Sequence, residues 1–230
     1  MDFVATYFSF YLQGALIGLG LTFLAMAGAL VVGLAVALGR LSGNRVLAAL
    51  CASYTALFRG IPPLVTLYII YFGLPSWAVQ SGNSFFIALL TPLDNRILCA
   101  TIGFALNSGA YTSEIIRASI SSIAVEQAEA ARSIGMSYFL SMRRVILPQA
   151  LRVAFPPLGN EFVIVLKGTS LASVIGVTEL MRSAQMAAAA TFRNLEAYSF
   201  AAAFFVVMVI VVQLVVRWCE WRLQRGGRLA

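Results

Sequence analysis

Residues 129–148 read Glu129-Ala130-Ala131-Arg132-Ser133-Ile134-Gly135-Met136-Ser137-Tyr138-Phe139-Leu140-Ser141-Met142-Arg143-Arg144-Val145-Ile146-Leu147-Pro148. The stretch is polar and bears arginines, yet it lies between long apolar segments. A glycine break between two short helices, closed by a proline, has little use inside a bilayer. It makes sense where something outside the bilayer grips the chain. Ser122 is placed to cap the first helix, with Glu126 in its opening turn. Small side chains at Ala124, Ala128, Ala130 and Ala131 let a partner approach closely. Gly135 suits the left-handed conformation that ends a helix. Ser137 is then available to cap a second helix, Tyr138 to Leu147. Pro148 can open the next span, because a helix tolerates a missing N–H in its first turn. The expected product is a helix–turn–helix hairpin with Val145 and Leu147 turned toward the rest of the molecule. On these residues alone, an ordinary solvated hairpin accounts for the pattern equally well.

Working outward, the chain of 230 residues is 60% hydrophobic and only 11% charged, with a mean hydropathy of +0.88. A soluble domain carries about 25% charged residues. The long apolar stretches exceed the roughly 20 residues that cross a bilayer as a helix. The alternating segments of about ten residues that build a membrane barrel do not occur. The expected fold is an all-α integral membrane protein, one domain over residues 1–230, with about five transmembrane helices plus the polar insert.

Several chemistries are excluded by composition. The chain has no histidine, so Ser-His-Asp triads, Cys-His dyads and the usual zinc sites are ruled out, leaving no catalytic or metal residue to nominate. Cys51, Cys99 and Cys219 are odd in number and widely spaced, against a disulfide framework. The single lysine, Lys167, is not in a P-loop, so any ATP and magnesium would be held by another chain. The net charge of +7 comes from basic residues scattered over loop ends, which argues against nucleic acid and for positive-inside topology. The N-terminus lacks a basic n-region, so the first span is expected to remain in the mature protein.

The spans are expected at about 10–39, 46–74, 96–118, 149–166 and 197–218. Tyr7 and Tyr11 suit an interfacial belt at the start of the first. Gly14, Gly18, Gly28 and Gly33 leave flat faces on it for close packing. The second contains Phe58-Arg59-Gly60-Ile61-Pro62-Pro63, whose prolines bend or break a helix. Residues 75–95 read as a loop with a short apolar patch. The polar insert covers about 119–148, and an alanine-rich helix is expected near 181–192. One side of this arrangement holds Arg40, Arg45, Arg117, Arg132, Arg143, Arg144, Arg152, Arg217, Arg222, Arg225 and Arg228; the other holds Arg96, Lys167, Arg182 and Arg193. The first side is therefore expected to be cytoplasmic, with the insert and the C-terminus, and the N-terminus outside.

The pattern EAA-x3-G-x9-I-x-LP, kept here with Val145 for the usual Ile, resembles the cytoplasmic signature of permease subunits of binding-protein-dependent ABC importers. Flanking segments are similar to the polar amino-acid permeases of that family. They include Phe58-Arg59-Gly60 with Pro62, Tyr71 to Pro75, Asn107 to Tyr111 with Glu114, Pro156 to Phe162, and Thr169 to Ala172. The resemblance covers nearly the whole chain. It implies a subunit of the bacterial cytoplasmic membrane that pairs with a like permease subunit, as a homodimer or a heterodimer. It also implies two ATPase subunits beneath, which bind the ATP, and a substrate-binding protein outside. Carried onto this chain, Glu129, Ala130, Ala131 and Gly135 become the core of a coupling helix seated on the ATPase. Val145, Leu147 and Pro148 pass its motion to the fourth span, giving alternating access.

Polar residues within spans are candidates for the substrate path. A free amino acid needs a cationic donor for its carboxylate and an acceptor for its ammonium. Arg59 or Lys167 could serve the first, and Glu161 the second, with Asn107, Tyr111, Thr169 and Ser170 as neutral partners. Glu114 lies nearer the cytoplasmic end. Two structural alternatives stand beside this reading: Arg59 and Glu161 as a buried pair, and Glu114 paired with Arg117 or Arg152. Gly168 stands where relatives commonly have Asp, which leaves open a neutral, acidic or conjugated substrate. A self-contained secondary transporter or channel is the other function class, although no inverted repeat is visible.

Overall fold

The computed structural model describes residues 3–123 and 125–225. Every regular element among them is helical: α1 (Phe3–Leu41), α2 (Arg45–Gly60), α3 (Pro63–Tyr68), α4 (Leu74–Ser81), α5 (Ser84–Leu90), α6 (Arg96–Ser121), α7 (Val125–Ser133), α8 (Tyr138–Ser141), α9 (Leu147–Gly168), α10 (Leu180–Thr191) and α11 (Asn194–Arg225). A wide π turn joins α3 to α4 and another joins α8 to α9, and a 3₁₀ segment follows α9. Four runs are long and apolar enough to cross a membrane: Phe3–Leu41, Pro63–Ser81, Tyr138–Ile175 and Asn194–Leu223. A fifth crossing is reached by joining α6 to the helix before it, from which it is bent by 96°.

Proline explains the irregularities. The π turns Ile69–Gly73 and Met142–Ile146 each end two residues before a proline, Pro75 and Pro148. A proline ring clashes with the carbonyl four residues back and offers no N–H to it. Widening the preceding turn relieves both faults without breaking the helix. Pro148 sits in the first turn of α9, as expected, and the π turn before it joins the second hairpin helix to α9 in one helical run from Tyr138 to Ile175. At Pro62-Pro63 the outcome is different. The residue before a proline is driven to extended backbone. Ile61 (φ −88°, ψ 128°) and Pro62 (φ −57°, ψ 139°) are both extended, and α2 stops at Gly60. The stretch 46–74 is thus two helices rather than one span. Residues 75–95 are not a loop: they hold α4 and α5, the latter capped by the Asn83 side chain.

α6 is the hub, packed on α1, α2, α3 and α9. Surrounded by protein, it need not be apolar to suit lipid, so its polar second half is tolerated. The core joins Leu21, Ala25 and Met26 of α1 to Leu67 of α3 and to Cys99, Ala100 and Phe104 of α6. Close approach depends on the glycines of α1. A Cβ at Gly33 would lie 2.6 Å from the Thr112 side chain, and one at Gly14 would lie 3.0 Å from the backbone of Glu179. Tyr11 is not in an interfacial belt. It is fully buried, its hydroxyl donates to the Ala197 carbonyl at 3.0 Å, and its ring packs on Phe200. It ties the start of α1 to the start of α11.

Ser122 closes α6, its hydroxyl donating to the Ser119 carbonyl, and does not cap α7. Ala124 lies outside the described residues, as does the side chain of Ala128. Glu179 caps α10 from a fully buried position, accepting from the N–H groups of Met181 and Arg182 at 2.8 and 2.9 Å. Burial pushes its carboxyl up to about 7 from the usual 4.5, the two backbone bonds pulling the other way. The folded chain then holds this proton more tightly than the unfolded chain does. Stability is highest below the ordinary carboxylate range, falls as pH rises through about 7, and is level above, a change on the order of 3 kcal/mol. Thermal unfolding in nanodiscs is expected to show this fall, and Glu179→Gln to flatten it. An equal pH slope in both proteins would refute the assignment.

Candidate functional site

The break after Gly60 exposes backbone carbonyls at membrane depth, where each must find a donor. α6 supplies them. The Asn107 side-chain amide donates to the Phe58 carbonyl at 2.8 Å and to the Ile61 carbonyl at 3.4 Å. The Tyr111 hydroxyl donates to the Arg59 carbonyl at 3.5 Å. Asn107 and Tyr111, one turn apart on α6, thus hold the broken strand of backbone open beside the helix. Between this break and α9 lies a cavity of about 270 Å³, lined by Pro63, Phe104, Asn107, Ser108, Tyr111, Glu161 and Gly168 among others.

Glu161 is the one acid in its lining. Its side chain is buried, 6% exposed, and accepts a hydrogen bond from the Ser108 hydroxyl at 2.7 Å. No Lys or Arg among the described residues pairs with it. A buried carboxylate without a cation is costly. Arg59 does not supply it. Its guanidinium lies 5.4 Å from the centre of the Tyr111 ring, on the exposed side of the break. The pair Arg59–Glu161 is therefore not formed, and the two charges stand apart at the cavity and its rim. At Gly168 a Cβ would meet nothing within 4 Å, so the wall there is open.

The other nominated residues fall elsewhere. Glu114 bonds Arg117 at 2.8 Å and also pairs with Arg40, fastening the ends of α1 and α6 together away from the cavity. Thr169 is buried against Gly18 and donates to the Leu166 carbonyl. Ser170 donates to the Lys167 carbonyl, and the Lys167 side chain is exposed. Neither Lys167, Thr169 nor Ser170 lines the cavity. Sequence reasoning missed Ser108 as the partner of Glu161. The signal was present in the polar run Asn107-Ser108-Gly109, but the facing residue on α9 was not.

The hairpin has the expected turn. Gly135 adopts φ +81°. The Met136 N–H reaches the Ala131 carbonyl at 3.0 Å and the Gly135 N–H the Arg132 carbonyl at 2.9 Å, the paired bonds of a Schellman ending. Ser137 caps α8 through the Leu140 N–H. Ala131 is buried, while Glu129 and Ala130 face out. Val145 is half-buried, and Leu147 packs in an apolar crevice with Leu30, Leu34 and Ile116 at the ends of α1 and α6. Pro148, in the first turn of α9, completes the helical run. Three large side chains that sequence reasoning passed over crown the turn: Ile134, Tyr138 and Phe139 are 74%, 74% and 73% exposed.

Known proteins share this architecture. The profile of the family described as binding-protein-dependent transport system inner membrane component matches residues 29–225. The nopaline transport system permease protein NocM of Agrobacterium fabrum is 38% identical over 203 residues, 88% of this chain and 83% of that protein. The probable glutamine ABC transporter permease protein GlnM of Bacillus subtilis is 34% identical over 219 residues, 95% of each chain. The crystal structure of an amino acid ABC transporter with histidines matches at a TM-score of 0.84 and 36% identity, over 96% of this chain and 99% of that one.

Proposed function

Because the chain belongs to the family of binding-protein-dependent transport system inner membrane components, we propose that it is the permease subunit of an ABC importer for polar amino acids or their derivatives. It is a transport component and not a catalytic subunit. ATP and magnesium are held by two separate ATPase subunits, and an outer binding protein delivers the substrate. The hairpin with Glu129, Ala130, Ala131 and Gly135 faces the cytoplasm and docks on the ATPase through the apolar crown of Ile134, Tyr138 and Phe139. The N-terminus lies outside. The continuous helical run from Tyr138 to Ile175 links the hairpin to Glu161 and carries its displacement toward the cavity.

The observation that carries the substrate reading is the buried Glu161 in the cavity lining without a cationic partner, with the Arg59 guanidinium over the Tyr111 ring at the rim. A zwitterion satisfies both: its ammonium replaces the cation that Glu161 lacks, and its carboxylate turns toward the Arg59 guanidinium. Nopaline and glutamine, named for relatives, are both such molecules in their α-amino acid groups. The test is reconstitution with the neighbouring ATPase and binding protein in liposomes. ATP-dependent uptake of radiolabelled amino acids supports the proposal. Uptake by this chain alone, driven by an ion gradient, would instead establish a secondary transporter.

A further inference from the structure

The cavity between α6 and α9 is walled by two matching stripes. On α9 these are Glu161, Ile164, Val165 and Gly168, and on α6 Phe104, Ser108 and Tyr111. Both sets recur at the three- and four-residue spacing that puts side chains on one face of a helix. Glu161 and Gly168 are two turns apart, about 10 Å along the axis. A side chain at position 168 would therefore point into the same space as that of Glu161. The two helices run antiparallel, since Ser108 bonds Glu161 at 2.7 Å while Arg96 reaches the Gly176 carbonyl at 3.3 Å. Phe104 thus faces the Gly168 end, and Tyr111 lies on the other side of Glu161. The cavity is a slot with unlike ends: an acid end at Glu161 and Ser108, and a far end at Gly168 lined by no charged side chain. Ile164 and Val165 make the wall between them apolar.

The acid end has already spent its donors. Asn107 gives its amide hydrogens to the Phe58 and Ile61 carbonyls, Ser108 its hydroxyl hydrogen to Glu161, and Tyr111 its own to the Arg59 carbonyl. What remains there is acceptor oxygen, so this end takes a protonated amine. The Arg59 guanidinium, 5.4 Å from the centre of the Tyr111 ring, stands on the same side for a carboxylate. With both α-groups of an amino acid held at that end, its side chain runs along Ile164, Val165 and Phe104 toward Gly168. The backbone at Gly168 does not require glycine: φ −64° and ψ −22° are ordinary helical values. Glycine in a helix is less stable than alanine, and a Cβ here would meet nothing within 4 Å. What the bare position provides is room.

We propose that Gly168 sets the length of substrate that the slot accepts, admitting α-amino acids with a long, apolar-stemmed side chain whose tip passes Gly168. The inference rests on the reading of this cavity as the substrate site. It adds which way round the substrate lies and which residue limits its size. Because no acid or base lines the far end, the slot measures length and not the charge of the tip. A methyl side chain leaves the far half empty, whereas a carboxamide or guanidinium side chain fills it.

The test is equilibrium binding of radiolabelled alanine, glutamine and arginine to the full-length chain with its neighbouring ATPase in nanodiscs. No binding protein is present to impose its own choice. In Gly168→Leu the affinity for glutamine relative to alanine, and for arginine relative to alanine, is expected to fall at least tenfold, because the added side chain fills the far end. Gly168→Ala is expected to lie between the two. A general fold defect would lower all three affinities together and leave the ratios alone. Glu161→Gln is expected to weaken all three alike, since each presents the same amine. Wild-type ratios in Gly168→Leu, with binding still weakened by Glu161→Gln, would overturn the slot and leave the substrate site standing. A fall confined to arginine would mean that charge is read rather than length, and would overturn it too. Binding of none of the three by wild type would overturn the slot together with the reading it rests on.

Discussion

Glu161→Gln is expected to lower ATP-driven uptake about a hundredfold, with the chain still folded and still bound to its ATPase. The substitution keeps the shape of the side chain and an oxygen to accept from Ser108, which lies 2.7 Å away. It removes only the charge. A charge-assisted hydrogen bond to a buried carboxylate is about twice as strong as a neutral one. Removing one partner of a buried charge pair costs roughly 2–5 kcal/mol in binding, enough for the expected effect. Because no Lys or Arg of this chain pairs with Glu161 among the described residues, removal of its charge leaves no cation stranded in the fold. Structural damage is therefore small, and thermal unfolding is expected to be unchanged or slightly raised. Ser108→Ala, by contrast, is expected to cost only a few-fold in uptake. Wild-type uptake in Glu161→Gln would remove Glu161 from the substrate path.

Phe139→Asp is expected to weaken co-purification of the ATPase by about two orders of magnitude. Large aromatic anchors at the centre of an interface each account for roughly 2–4 kcal/mol, and a carboxylate in their place adds desolvation that nothing repays. Phe139 is 73% exposed in the single chain, so its loss removes no internal packing. Tyr138→Asp should behave alike. Gly135→Val offers a second route to the same end. Its φ of +81° is strained for a β-branched residue, so the turn re-forms elsewhere and the crown is misdirected. ATPase recovered equally from wild type, Phe139→Asp and Gly135→Val would mean that the hairpin is not the docking element.

Much of this was legible along the chain. The pairing of Gly135 with Ser137 specifies a helix end followed by a helix start, and both caps are local hydrogen bonds that need no distant partner. α1, α6, α9, α10 and α11 are close to their expected places because each is a long run bounded by a capping residue or a charge. The prolines were visible too, but their consequence was not. Pro62-Pro63 breaks the backbone because two successive residues are forced extended, and α6 is at hand with Asn107 and Tyr111 to satisfy the freed carbonyls. Pro75 and Pro148 only widen one turn. Which remedy a proline receives depends on the neighbour that packs there.

Composition, length and the Glu129–Pro148 pattern determined by themselves a helical membrane protein with a polar helix–turn–helix hairpin. They did so because hydropathy and capping are properties of neighbours in sequence. The cavity was decided only by tertiary structure. Asn107, Tyr111 and Glu161 were nominated together with Glu114, Lys167, Thr169 and Ser170, all polar and all at plausible depth. Packing of α9 against α6 turned Glu161 to Ser108. It left Glu114 to Arg40 and Arg117, and turned Thr169 and Ser170 back on their own helix. Depth along a helix follows from residue count, but the face a side chain presents is settled only by the rotation of one packed helix against another.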